Sequence, residues 1–188
     1  TGLNYARASH QAQFGKARVG VAYSHLGYEL GREFQSLGAH GSAKIASLYG
    51  SYPLIRSRDT NLYAGLAFDA KTFQDRVDST SSISDKRARV LTASLYGNQS
   101  DAVGGGGLNV YSLALSAGHM DLQTPAVRSM DALTARSDGQ YNKLAFSLAR
   151  LQNVTDSVSF YASVNGQIAS KNLDASEKME LGGMYAVR

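Results

Sequence analysis

Hydrophobic and polar side chains alternate with a period of two along most of this chain, as expected of strands with one apolar and one polar setting. From Asn61 to Lys71 one face carries Leu62, Ala64, Leu66, Phe68 and Ala70, and the other carries Asn61, Tyr63, Gly65, Ala67, Asp69 and Lys71. From Val158 to Lys171 one face reads Val158, Phe160, Ala162, Val164, Gly166 and Ile168, opposite Ser159, Tyr161, Ser163, Asn165, Gln167 and Lys171. Weaker copies run through Val19, Val21 and Tyr23; Ala46, Leu48 and Tyr52; Leu91, Ala93 and Leu95; Asn109, Tyr111, Leu113 and Leu115; and Leu144, Phe146 and Leu148. A first strand over Leu3 to Ser9 is poorly marked. The pattern predicts eight strands of roughly 9 to 14 residues, against the 5 to 6 usual in soluble proteins and the 9 to 11 that a tilted membrane-crossing strand needs.

Connections alternate in length. Short ones are expected near Gln11–Lys16, Pro53–Thr60, Asn98–Gly106 and Gln152–Ser157, and longer polar ones near Gly27–Gly41, Asp75–Lys86 and Leu122–Gly139. Pro53 and Pro125, the only prolines, are placed in connections, where no ladder hydrogen bond is lost. Tight turns at one end and long loops at the other are the pattern of an outer-membrane barrel. A β-sandwich alternates too, but its Greek-key links are not sorted by length in this way. The expected fold class is therefore all-β, an antiparallel transmembrane β-barrel.

Composition narrows the choice further. The 188 residues are 43% hydrophobic and 18% charged, below the roughly 25% charge of soluble domains. The longest stretch free of acidic and basic residues, Ala102 to Met120, holds Gly104 to Gly107 and several polar residues, so a spanning helix is excluded. With no cysteine there is no disulfide framework and no thiolate zinc site. The net charge of +4 is spread along the chain and does not read as a nucleic-acid surface. The polar face is rich in Ser, Asn, Gln, Gly and Tyr, as a hydrated lumen would be, and the 11 tyrosines are expected to supply the interfacial girdles. Thr1 to His10 lacks a basic stretch followed by an apolar one, so the chain reads as starting in mid-strand, a piece of something longer.

After the last strand the chain runs Lys171-Asn172-Leu173-Asp174-Ala175-Ser176-Glu177-Lys178-Met179-Glu180-Leu181-Gly182-Gly183-Met184-Tyr185-Ala186-Val187-Arg188. This resembles the NLxxSExFxLGG…VRGY segment of two-partner secretion transporters, the haemolysin-activator family of outer-membrane barrels. Gly166-Gln167 and the earlier Ser51-Tyr52-Pro53-Leu54-Ile55-Arg56-Ser57-Arg58 with Asn61-Leu62 resemble two further family patterns. The resemblance implies a barrel of roughly 16 strands behind an N-terminal helix and two periplasmic POTRA domains. Residues 1–172 would be its fourth to eleventh strands, and 173–188 the start of the sixth extracellular loop. The Gly-Tyr that should complete the motif does not follow Arg188 in this sequence.

By that resemblance Gly182, Gly183, Val187 and Arg188 form the loop motif, with Arg188 folding into the lumen to pair with an acidic residue beyond this chain. A guanidinium suits such a bidentate contact where an ammonium does not. Asp69, Lys71, Asn165, Gln167 and Lys171 are expected to line the pore. Arg89 and Arg150 fall on the apolar parity of their strands, which puts them near the interfaces, where the penalty for charge falls, or marks a slip of register. Arg56 and Arg58 belong to a short link, where they could contact the secreted partner but are read first as solvated or close to lipid phosphates.

No catalytic site and no metal site is expected. Gly104 to Gly107 lacks the preceding strand-to-helix context and the lysine of a phosphate loop, and reads as a turn. His10, His25, His40 and His119 have no metal-ligand spacing. The expected function is export of a large secreted exoprotein (a haemolysin, adhesin or contact-dependent toxin) across the outer membrane of a Gram-negative bacterium. Its partners would be that exoprotein and outer-membrane lipid, with no cofactor, nucleotide or nucleic acid. The alternatives are a passive porin or a small eight-stranded barrel complete in itself, and a soluble β-sandwich binding module.

Overall fold

The computed structural model of the chain describes residues 2–179, with the side chains of Arg32 and Phe34 left aside. Eight strands follow one another: β1 (Gly2–Phe14), β2 (Ala17–Glu29), β3 (Ala39–Arg56), β4 (Thr60–Val77), β5 (Ser82–Asp101), β6 (Gly107–Leu122), β7 (Gly139–Asn153) and β8 (Ser159–Ala169). They form one antiparallel sheet in sequence order, each strand pairing with the next. Among the described residues β1 and β8 pair on one side only, so these eight strands do not close on themselves. That removes the reading of a small barrel complete in eight strands.

β1, β2 and β8, at 11 to 13 residues, fall within the expected range, whereas β3 to β7 are longer, from 15 residues in β7 to 20 in β5. The weakly marked first strand runs in full from Gly2 to Phe14, because its pairing with β2 supplies the order its sequence does not. The link expected over Asp75–Lys86 is correspondingly only residues 78–81, since polar residues there continue the ladder to Val77↔Ser82. Pro53 is likewise not in a connection. It lies within β3, where the register shifts between Pro53 and Ile55, so the missing N–H falls at a bulge. The glycine run makes the tight β5–β6 turn, with positive φ at Gly104, Gly105 and Gly106, and Gly107 already starts β6.

The two faces of the sheet differ in kind. One is bare: Leu66 is 57% exposed and Val164 52%, with Val21, Leu48, Leu91, Leu115, Leu148 and Phe160 similarly uncovered on the same parity. The other is covered at the long-loop end by helix α1 (Pro125–Leu133) and by the chain after β8. There Ala88, Val90, Met120, Leu122, Tyr141 and Leu173 form a small core, with Val127 of α1 packed against it. Only eight hydrophobic residues are buried among those described. A water-soluble domain of this length would bury far more, so the bare apolar face requires another apolar phase. No described helix is long and apolar enough to cross a membrane, a statement that leaves strands untouched.

Tyrosines are distributed differently from the expectation of girdles. Seven of the ten described ones (Tyr5, Tyr28, Tyr49, Tyr63, Tyr96, Tyr141 and Tyr161) lie on the covered parity, and Tyr23, Tyr52 and Tyr111 on the bare one. Three of the seven have glycine directly opposite. Tyr49 lies over Gly20, Tyr28 over Gly41 and Tyr141 over Gly118, each ring occupying the space a Cβ would fill. Tyr63 and Tyr96 stack with centroids 5.5 Å apart.

Gly118→Val should drive the Tyr141 ring off its seat and destabilise the sheet by about 1–3 kcal/mol, the cost of overpacking a tight site. Urea unfolding of the refolded protein would measure this, and an unchanged midpoint would remove the role given to the Gly118–Tyr141 pair.

Candidate functional site: a loop segment seated on the covered wall

The strand parity of β4, β5 and β7 brings three lysines to the covered face: Lys71, Lys86 and Lys143. They are far apart in sequence and converge on one short segment. After β8, Leu173 enters the small core and is 5% exposed. Asp174 then caps a single turn over Ala175–Glu177, its carboxylate accepting from the Ser176 N–H at 3.1 Å and the Ser176 hydroxyl at 2.9 Å. The turn directs Glu177 down onto the wall.

Lys71 Nζ donates to Glu177 Oε1 at 2.6 Å, and Lys143 Nζ donates to Glu177 Oε2 at 2.8 Å. Lys143 also reaches the Glu177 carbonyl at 3.2 Å. Lys86 Nζ donates to Asp174 Oδ2 at 2.9 Å. The Glu177 side chain is 1% exposed and its lysine partners 17% each, so this is a desolvated two-lysine clamp rather than a surface pair. Burial would raise the Glu177 pKa, but hydrogen bonds from Lys143 and Lys71 outweigh it and hold the carboxyl below its ordinary value. Asp174 behaves in the same way, with burial opposed by Lys86 and the Ser176 donors.

The 123–138 connection supports this seat from above. Asp131, buried in α1, accepts from the Ser137 N–H (3.1 Å), the Ser137 hydroxyl (2.7 Å) and the Asp138 N–H (3.0 Å), which closes the loop back onto the helix. Asp138 accepts in turn from the Leu122 N–H at 2.9 Å, tying the loop to the end of β6. Lys171 donates to the Asp138 carbonyl, and the Asn172 side-chain amide to the Ala135 carbonyl at 3.1 Å. A cavity of about 550 Å³ opens beside the seat, lined by Lys86, Leu122, Val127, Met130, Asp131 and Asp174 among others.

Of the residues expected from sequence, Asp69 and Lys71 share the covered face of β4, where Asp69 accepts from the Ser47 hydroxyl at 2.5 Å. Asn165 and Gln167 share the same parity on β8, and Lys171 lies just beyond that strand. Lys71 is the one of these in the clamp. Gly182, Gly183, Val187 and Arg188 lie outside the described residues. Glu177, Asp174, Lys86 and Lys143 were not singled out as a site. Glu177 had a signal, since it is the acidic residue of the Ser-Glu pair in the loop motif, but its lysine partners carry no local mark. Among the described residues no cluster of His, Cys, Asp and Glu could hold a metal ion.

A long-stranded antiparallel wall with a loop segment clamped to its covered face can be compared with known proteins. Residues 6–188 match the family described as haemolysin secretion/activation protein ShlB/FhaC/HecB. The chain belongs to that family. The heme/hemopexin transporter protein HuxB of Haemophilus influenzae is 27% identical over 171 residues, covering 91% of this chain and 30% of the relative. The same protein from a further strain is 26% identical over the same span. Among solved structures, CdiB from Escherichia coli superposes with a TM-score of 0.80 at 18% identity, covering 99% of this chain and 34% of that one. The eight strands are thus part of a β-barrel, the covered face its inner wall and the bare face its outer wall. The chain spans about 30% of the length of the curated relatives it matches.

The clamp makes a signed prediction. A carboxyl whose folded pKa is lowered contributes stability above its ordinary value of 4.5, lost as pH falls through the lower folded value. A nitroxide at Ala175 should therefore stay immobilised from neutral pH down to about pH 5 and loosen only in more acid solution. Glu177→Ala leaves two lysines facing an apolar floor, costs about 3 kcal/mol of loop docking, and should free the label at every pH. An immobile spectrum in that variant at neutral pH would show that the clamp does not hold the segment.

Proposed function

We propose that this chain is barrel wall of an outer-membrane translocator that exports a large partner exoprotein in two-partner secretion. The observation that carries the reading is the loop segment held inside the barrel by Lys71, Lys143 and Lys86. A segment fixed to the inner wall by ion pairs narrows the lumen, and ion pairs exchange partners without covalent chemistry. An unfolded chain moving along the same wall would find hydrogen-bonding side chains such as Asn165, Gln167, Ser163 and Asp69 in place of its water. The work is non-covalent, with no cofactor or nucleotide, and outward movement is favoured by folding of the cargo outside the cell.

The family supports this topology, in which residues 1–172 are interior strands of a larger barrel and 173–188 the start of a loop that folds into the pore. The four short links, at residues 15–16, 57–59, 102–106 and 154–158, face the periplasm, and the links carrying α1 and the clamped segment face outward. Arg188 would extend the same grip deeper into the lumen, pairing with an acidic residue on the wall.

Two measurements test the reading. The complete gene product, expressed with the exoprotein encoded beside it, should release cargo to the medium, and Arg188→Ala should cost most of that release. Cargo released equally well without the protein overturns the function, while full release by Arg188→Ala removes only the role of that arginine. In the reconstituted protein, labels at Leu66 and Val164 should be quenched from lipid and a label at Gln167 from water; the reverse pattern would invert the wall.

A further inference from the structure

Arg89 and Arg150 both lie on the outer wall, each on the parity of the apolar belt, and the structure resolves them in opposite ways. At the short-turn end Arg150 is neutralised within the protein. It reaches Asp101 through two nitrogens, at 2.7 and 3.0 Å, and Asn109 at 2.8 Å, with Gln152 alongside. At the long-loop end two further cations are also paired, outward-facing Arg76 with Asp85 and Arg128 of α1 with outward-facing Asp121, each at 2.7 Å. Arg89, Arg87 and Lys44 are not. They stand exposed on the outer wall, and among the described residues no carboxylate lies within ion-pair distance of any of them.

These residues lie just beyond the belt. Arg89 is one outward step from Leu91 on β5 and directly opposite His119 on β6, which itself faces Gln140 on β7. Together they frame an open depression of about 360 Å³ whose other lining includes Phe68, Leu91 and Asn142. The hollow is thus mostly apolar towards the belt, where Asn142 lies level with Leu91, while Arg89, His119 and Gln140 supply hydrogen-bonding groups at its other side. An unneutralised arginine on the lipid face is tolerated near an interface and costly deeper in. A phosphate in that interface would supply the missing counterion and bidentate acceptor, and the apolar floor would accept the first part of an acyl chain.

We propose that this outer-wall hollow, with Arg89 and His119 at its rim and Arg87 one outward step further along β5, opposite Asp121, binds the phosphorylated headgroup of a lipid in the outward-facing leaflet. The assignment to that leaflet rests on the translocator topology proposed above, whereas the binding itself does not. The asymmetry between the two ends carries the argument. The short-turn end neutralises its outer-wall arginine with Asp101, whereas the long-loop end pairs Arg76 and Arg128 but leaves Arg89, Arg87 and Lys44 with no carboxylate in ion-pair distance among the described residues.

The test uses the complete, delipidated protein in detergent micelles, with a glycolipid bearing phosphate monoesters, its dephosphorylated counterpart, and inorganic phosphate as probes. The phosphorylated lipid should bind, the dephosphorylated one should not, and inorganic phosphate should compete poorly. Arg87→Gln with Arg89→Gln should weaken lipid binding roughly 30-fold, the loss of two interfacial arginines. Arg150→Gln, at the self-neutralised end, should leave it unchanged. Heat-modifiable gel mobility of each variant shows that the barrel is folded. Equal binding by the double variant, or equal binding of the dephosphorylated lipid, overturns the proposal; competition by inorganic phosphate at the lipid's own concentration shows an anion site without a lipid. Cargo release measured on the same variants separates the outcomes: lost lipid binding with intact export supports the hollow independently, and intact binding with no export counts against the translocator reading alone.

Discussion

Everything in this structure depends on the main-chain ladder running unbroken through seven consecutive antiparallel pairings, from β1–β2 to β7–β8. In an apolar phase an unpaired N–H or C=O costs several kcal/mol, so a sheet can cross only when each strand's polar groups are taken up by its neighbours. The ladder explains why Pro53 sits at a bulge, and why the polar stretch around Asp75–Asp85 stays strand instead of looping out. It also leaves β1 and β8 with an unpaired edge each among the described residues, an arrangement suited to an arc of a larger barrel and unsuited to an isolated sheet.

Once the ladder is fixed, side chains are sorted to two walls with no freedom to choose. The outer wall takes the apolar set and stays bare. The inner wall becomes the place where polar and charged groups are affordable, and the structure uses it to hold a segment that arrives from beyond β8. Glycines opposite Tyr28, Tyr49 and Tyr141 let those rings lie against the wall, and Tyr141 so placed packs with Leu173 of the segment. On this floor Glu177 is buried with two lysines, an arrangement strong in either complete form and unstable in any half-broken one. The same logic explains the outer wall's charges. Arg150 is acceptable because Asp101 neutralises it, whereas Arg89 has no carboxylate in ion-pair distance among the described residues and would take its counterion from the proposed lipid.

The strands and their faces were legible because period two is a local property, written in neighbouring residues such as Leu66, Ala67, Phe68 and Asp69. Where the local pattern was weak the reading fell short: β1 owes its length to β2, and most of the tyrosines fall on the inner-wall parity, three of them seated over glycines one strand away. The loop motif was legible too, through its resemblance to a known family. The clamp was not, although both its acids stand inside that motif.

The sequence by itself determined the alternation, the eight strands in their order and the division into an apolar and a polar side, because a pleated backbone fixes side-chain direction residue by residue. Only the tertiary structure decided which polar residues meet. Lys71 and Glu177 are 106 positions apart, and Lys86 and Asp174 are 88 apart. Such pairs are selected by strand register and by the path of the chain after β8, which depend on the summed pairing of every strand between them and leave no trace at either residue alone.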